Sequence, residues 1–344
     1  MGLFFILCKT VFITLAMIEG GNVMEKQHEI NSMGVIYIIL LLGNIIICTI
    51  SQVLFTMGKP LPSMLVTILC EALILAPVII YLRSKGENIF ERLGFHKIKF
   101  TTVLLTLLLT VVISPISIFA NFLSQLFVPN TIVQSSAELV EGSAIITLII
   151  TSIIAPLCEE MTFRGFFFNG FKGTSSVIKA AIVSALLFGI MHLNLNQFCY
   201  AFVLGFTFAL ANHASKSTWT SVIMHVAYNF VNMSLLIIAT LSLQEQNVDI
   251  AQAQESVRTQ SGAMLSTIII YGVLSIICAF LAWLLLKAIA KNQGNLEAFK
   301  ASFAKKNSDA VNAEVRVHSL LNVPMMLSIC IGVVAMIVYQ VAVL

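Results

Sequence analysis

The sequence predicts an all-α fold: a polytopic transmembrane helical bundle of about nine spans, with a weaker candidate ahead of them at the N-terminus. Three observations carry this. Of 344 residues, 58% are hydrophobic and only 10% charged, outside the range of an ordinary soluble globule. The mean hydropathy is +0.97. Apolar stretches of about twenty residues, the length that crosses a hydrocarbon core, recur along the chain. The longest polar segments, around 241–262 and 290–319, are too short to build a core of their own. The net charge of +3 argues against nucleic acid as a partner. Seven cysteines (8, 48, 70, 158, 199, 278 and 330) lie mostly in apolar runs without CxxC spacing, so they read as small packing residues.

In chain order, residues 1–18 are apolar but broken by Lys9 and followed by Glu19, which reads as a weak span or a poor signal peptide. An internal start at Met24 or Met33 is a third reading. The nine spans fall at about 33–57, 62–82, 101–128, 143–171, 177–192, 196–213, 218–241, 263–287 and 321–343. Gly58-Lys59-Pro60, the charged stretch 83–99, Pro129-Asn130 and Lys172-Gly173-Thr174 separate successive spans. Three regions follow: N-terminal helices with a basic loop (1–142), a polar-bearing core (143–241), and C-terminal helices with a polar segment (242–344).

Loop charge sets the expected orientation. Arg83, Lys85, Arg92, Lys97 and Lys99 crowd one loop; Lys172, Lys179 and Lys216 sit in two turns; Lys287, Lys291, Lys300, Lys305, Lys306 and Arg316 fill another loop. Alternate counting puts all of these on one side, cytoplasmic by the positive-inside rule. The acidic loops, with Glu138 and Glu141 in 129–142 and three acids against Arg258 in 242–262, fall on the other. Leu93-Gly94-Phe95 should lie along the cytoplasmic interface, and His213 should close a helix there. The 290–319 segment, with Leu296, Phe299 and Phe303, reads either as an interfacial amphipathic helix or as a solvated linker.

Ionisable residues inside spans are costly and mark function by default. Glu159, Glu160 and Arg164 follow the apolar run Ile145–Ile154; His192 ends Phe188-Gly189-Ile190-Met191-His192; His225 and Asn229 share a later span. Adjacent residues on a helix are about 100° apart, so Glu159 and Glu160 are not expected to point at one site. Arg164, four residues after Glu160, is its expected ion-pair partner. Pro156 should loosen the helix and open the carboxylates onto a cavity. Counting from the turns, Glu159 and His192 both lie roughly 20–27 Å deep, and His225 and Asn229 roughly 15–21 Å. Four polar side chains from three helices therefore meet at similar depth. A buried carboxylate acts as a general base towards water, and a neighbouring histidine shares the water or shuttles its proton. A second His with an Asn suits an oxyanion site. This is an inventory for amide hydrolysis without a covalent nucleophile.

Glu159-Glu160-x-x-x-Arg164, Phe188-x-x-x-His192 and His225-x-x-x-Asn229, with Phe163-Arg164-Gly165 and Gly205 between the motifs, resemble the CAAX protease and bacteriocin-processing (CPBP) family. That family includes type II CAAX prenyl endopeptidases. The likeness covers about 143–232. It implies an intramembrane endopeptidase in which Glu159 and His192 activate water, His225 and Asn229 hold the oxyanion, and Glu160 and Arg164 are architectural. It also implies a membrane-bound peptide or protein substrate, a prenylated CaaX segment or a bacteriocin or pheromone precursor, cleaved in the cell membrane from the cytoplasmic side. No cofactor is favoured; if zinc is used, its ligands would be Glu159, His192 and His225.

The alternatives are a proton-coupled transporter, which would predict inverted repeats that are not visible, and a catalytically silent CPBP-like immunity or regulatory protein. Glu71, alone in the second span, reads as polar helix-packing glue, and Phe166-Phe167-Phe168 as packing.

Overall fold

A computed structural model describes residues 22–134, 136, 143–246, 248, 256, 261–304 and 320–343. The weak span at 1–18, the acids of 129–142, most of 242–262 and the basic tail 305–316 lie outside the described residues. Among the described residues, nine principal helices match the nine expected spans: α1 (Asn22–Thr56), α2 (Ser63–Ser84), α3 (Phe100–Ser124), α4 (Ala144–Lys172), α5 (Val177–Met191), α6 (Leu195–Ser215), α7 (Trp219–Glu245), α8 (Ser261–Asn292) and α9 (Val323–Val343). Eight are long and apolar enough to cross a membrane, and α5 is the shorter one. The protein is an integral membrane protein, with no strand among its described residues.

The centre of the bundle is the second half of α4 against α5. Phe163, Phe166, Phe167, Phe168 and Phe171 are fully buried. Tyr37 of α1 meets Phe167 edge-on, Tyr81 of α2 does the same to Phe166, and Phe163 tilts against Phe188 of α5. The Phe166-Phe167-Phe168 run is thus core packing. Helices α1, α2 and α9 pack on one another and on the centre from one side, and α3, α6, α7 and α8 form the other side.

Helix α4 is not a uniform α-helix. Ile150–Ile154 and Met161–Phe168 are wound as π-helix, on either side of an α-helical piece, Ala155–Glu160. Pro156 has no N–H to offer the carbonyl of Ser152, and the turn ahead of it widens. The loosening expected of Pro156 therefore takes the form of a wide turn, without a break.

Helix α5 is held by α1. Tyr37 donates to the carbonyl of Leu187 at 2.8 Å, and the Asn44 amide donates to the carbonyl of Met191 at 2.9 Å. The second bond supplies a partner for a carbonyl at the C-terminus of α5, where the helix itself offers none. It also fixes the residue just before His192.

The loop after α2 folds onto the protein. Leu93 is fully buried, and its carbonyl accepts from Asn169 at 3.3 Å and from Thr218 at 2.6 Å. Gly94 adopts φ 76°, and a Cβ there would stand 2.8 Å from the Asn169 amide, so both backbone and space require glycine. In the polar segment after α8, Leu296–Ala301 is helical and Phe299 is fully buried beside Trp283 and His213. Its aromatic side faces protein rather than lipid.

Candidate active site

Every ionisable residue picked from the spans 143–241 lies on α4, α5 or α7, and His225 is where most of them meet. Its Nδ1 stands 2.9 Å from Glu160 Oε1, and its Nε2 stands 3.5 Å from Glu159 Oε2. The expectation that helix phase keeps the two glutamates from one site is corrected here. An imidazole has nitrogens on two edges, so two carboxylates about 100° apart on α4 bracket the ring instead of competing for one point. Glu160 Oε1 also accepts from Arg164 Nη1 at 2.9 Å, the expected i,i+4 pair, with both side chains fully buried. A carboxylate paired to arginine is an acceptor only, so the His225 Nδ1–H donates to it. The ring nitrogen left towards Glu159 is Nε2. At 3.5 Å that separation is too long for a direct hydrogen bond of ordinary geometry.

Exposure separates the carboxylates. The Glu159 side chain keeps 13% of its surface, and Glu160 keeps none. Only Glu159 can meet water without rearrangement.

Phe188 joins the histidines. Its ring lies edge-on to His192 at 4.9 Å and to His225 at 5.8 Å, and the Arg164 guanidinium sits over it at 4.2 Å. Phe208 of α6 contacts Arg164 at 5.4 Å and tilts against His225 at 5.3 Å. Gly205 makes room for this stack: a Cβ there would come within 2.4 Å of Arg164 Nη2 and 3.1 Å of Phe188. His192 caps α5, and its Nδ1 lies 2.9 Å from the Phe188 carbonyl. A carbonyl only accepts, so Nδ1 carries the hydrogen and Nε2 carries the lone pair. Among the described residues, no hydrogen bond or ion pair links His192 directly to Glu159.

Asn229 lies one turn beyond His225, and its amide donates to the Thr151 carbonyl at 3.1 Å, within the first π-helical turn of α4. One amide hydrogen is thus committed to α4 and the other is free.

Glu71, expected to be polar helix-packing glue, lies beside this site. It is 7% exposed, its Oε2 is buried without a hydrogen-bond partner, and it lies close enough to Glu159 and Cys158 to act on both electrostatically. Helix α2 is tied to α4 at the next turn, where Thr162 donates to the Ile74 carbonyl at 3.1 Å. A mid-span carboxylate was the only signal in the sequence; which helix α2 would pack against was not.

Among the described residues no three His, Cys, Asp or Glu side chains stand grouped as metal ligands. The Nδ1–H groups of His225 and His192 are held by Glu160 and by the Phe188 carbonyl, so Nε2 is the nitrogen that either ring would offer a zinc ion.

The model of the family described as type II CAAX prenyl endopeptidase Rce1-like matches residues 141–231, which contain all six of these α4, α5 and α7 residues. A Bacillus subtilis protein named "Putative membrane peptidase YdiL" is 30% identical over 82 residues, covering 24% of this chain and 34% of that protein. An uncharacterized protein of Mycoplasma capricolum is 38% identical over 108 residues, covering 29% of this chain and 30% of its own length. The chain therefore spans about a third of the length of these relatives. No solved structure matches. Over residues 141–231 the chain is therefore similar to the CAAX prenyl endopeptidase family and to a protein named as a membrane peptidase.

Proposed function

We propose that this protein is an intramembrane endopeptidase that hydrolyses a peptide bond of a membrane-associated substrate with a water molecule activated by Glu159 and His192. The observation that carries the reading is the bracketed histidine: Glu160 and Arg164 fix one edge of His225 inside the bundle, while the other edge faces the partly exposed Glu159.

In the proposed reaction, water held between Glu159 and the lone pair on His192 Nε2 loses a proton to Glu159 as its oxygen adds to the scissile carbonyl. The resulting oxyanion takes a hydrogen bond from the uncommitted amide hydrogen of Asn229 and one from His225 Nε2, which donates only when the ring carries both hydrogens, its Nδ1–H being held by Glu160. Collapse of the tetrahedral intermediate breaks the C–N bond, and the proton held by Glu159 passes to the leaving amine. Glu160 and Arg164 take no part in proton transfer and orient His225. Substrate is taken to enter from the side bearing the lysine-carrying turns, a reading supported by the positive-inside rule.

The test is cleavage by the purified protein of a prenylated CaaX peptide and of leader-peptide substrates. Wild type should cut one class, while Glu159→Ala and His192→Ala should lose at least 100-fold in rate, on the order expected for a general base. Equal turnover in wild type and Glu159→Ala would sink the assignment. Activity that survives strong chelators would argue against zinc, and loss of activity restored by zinc would assign Glu159, His192 and His225 as its ligands.

A further inference from the structure

At the end of the bundle where α4 meets α5 and α6 meets α7, a cavity of about 520 Å³ opens, and its lining includes none of Glu159, His192, His225 and Asn229. Its wall includes Glu91, Arg92, Lys172, His213, Lys216 and Asn295. Arg92 is already paired with Glu29 and Glu87. Lys172, His213 and Lys216 lie close enough to one another to interact electrostatically. Among the described residues neither lysine forms an ion pair; Lys172 has only the side-chain oxygen of Asn169, at 3.1 Å, and the face of Phe168. The two lysines are the like charges here, since His213 Nε2 is 2.9 Å from Ser302 Oγ, and among the described residues Glu91 on the same wall pairs with neither; an anion between them relieves that repulsion.

Two further observations point to what that anion is. Lys216 holds φ 58° and ψ 28°, a left-handed conformation that disfavours a side chain, yet the position carries lysine rather than glycine. Asn295 is 2% exposed, and its amide nitrogen is spent on the carbonyls of His213 and Ala214 at 2.9 and 3.2 Å. Those bonds fix the amide orientation, so the side-chain oxygen is an acceptor, and it has no donor. A ligand that suits this wall combines a phosphate for the lysines with a hydroxyl for Asn295.

The cavity also lies where a lipid headgroup would reach it. Phe95 packs between Phe90 and Trp219 beside the cavity wall, and Phe90 and Trp219 are 64% and 40% exposed. Exposed aromatic rings of this kind collect at the headgroup level of a bilayer.

We propose that this cavity binds a phosphate ester carrying a hydroxyl group, supplied by the headgroup of an anionic phospholipid of the phosphatidylglycerol type. Lys172 and Lys216 take the phosphate, with His213 beside them, and Asn295 accepts from the headgroup hydroxyl. The site is separate from the proteolytic centre and stands whether or not that reading holds.

The experiment is native mass spectrometry of the full chain in a neutral detergent, titrated with short-chain phosphatidylglycerol, phosphatidic acid or phosphatidylcholine. The variant K172Q/K216G removes both charges, and glycine at 216 suits the left-handed backbone, so folding is preserved. K216G alone serves as a second, milder variant. Wild type should retain phosphatidylglycerol in preference to phosphatidylcholine. Binding should weaken about fivefold for each lysine removed, roughly 25-fold for the pair. Displacement of the lipid by soluble glycerol 3-phosphate would support the phosphate site and assign its source to the free ester. Equal retention of phosphatidylcholine, or equal binding by wild type and both variants, would overturn the proposal. Phosphatidic acid binding as tightly as phosphatidylglycerol would overturn the hydroxyl contact at Asn295.

Discussion

Arg164 donates a single hydrogen bond, to Glu160, and its Nε and Nη2 have no partner. The guanidinium is therefore held as much by the rings of Phe188 and Phe208 as by its carboxylate, and a fully buried charge held this way tolerates little displacement. Gly205→Ala puts a methyl group into that space. It should cost about 1–3 kcal/mol, read as a fall in the thermal unfolding midpoint in detergent, and lower cleavage with it. A midpoint equal to wild type would show that Arg164 has room to move.

Glu71 gives the opposite pairing of effects. Its unpartnered oxygen is buried, so Glu71→Leu should stabilise the protein by about 1–3 kcal/mol. If the carboxyl group serves the site beside Glu159, the same change should reduce cleavage by tenfold or more. Unchanged cleavage in a stabilised variant would return Glu71 to a packing role. The two substitutions separate room for Arg164 from chemistry beside Glu159.

At the scale of the element, α4 departs furthest from what periodicity predicts. The span, its limits and the Glu160–Arg164 pair were legible because they depend on apolar length and on a local i,i+4 spacing. The two π-helical stretches were not. They arise from Pro156, from close packing of five phenylalanines, and from the Thr151 carbonyl finding a donor in Asn229 on another helix. The meeting of Glu159 and Glu160 at His225 was missed for a related reason. Helix phase describes where side chains leave the backbone, and says nothing of a partner with two nitrogens. The closeness of Glu71 to Glu159 was not legible because the pairing of α2 with α4 is a tertiary fact.

A wide turn holds one residue more than an α-helical turn does. Deleting Ile153, which is exposed, should return 150–154 to α-helical winding and rotate the N-terminal part of α4 by about 100° relative to Glu159. Asn229 would then lose Thr151. The expected outcome is a protein that still reaches the membrane but cleaves nothing. Retained activity would mean that the π turn is incidental to the site.

Across the whole molecule, the candidate catalytic residues sit on α4, at the end of α5 and on α7, Glu71 of α2 lies beside them, and the remaining helices supply bulk and anchors. Tyr37 and Asn44 of α1 hold α5, and Tyr228 of α7 meets Ser117 of α3 at 2.7 Å. The expectation of about nine spans and of a basic loop set at one end followed from composition alone. What composition could not give was the docking of the loop after α2, since Leu93 is buried and Gly94 is held by partners more than seventy residues away in sequence.

The brevity of α5 bears on how the protein is made. Fifteen residues at 1.5 Å each reach about 22 Å, short of a hydrocarbon core of about 30 Å, and its sides are covered by protein. Such a segment is a weak signal to the insertion machinery and cannot be expected to partition into lipid by itself. Placed alone in a host protein and scored by glycosylation mapping, Val177–Met191 should integrate poorly, whereas Phe100–Ser124 should integrate fully. With α4 and α6 on either side, it should be drawn in as the middle of a triple hairpin. The helix that ends in His192 would then be among the last to settle. The protein could acquire its catalytic geometry only after its neighbours are in the bilayer, and would stay inert while it is being synthesised.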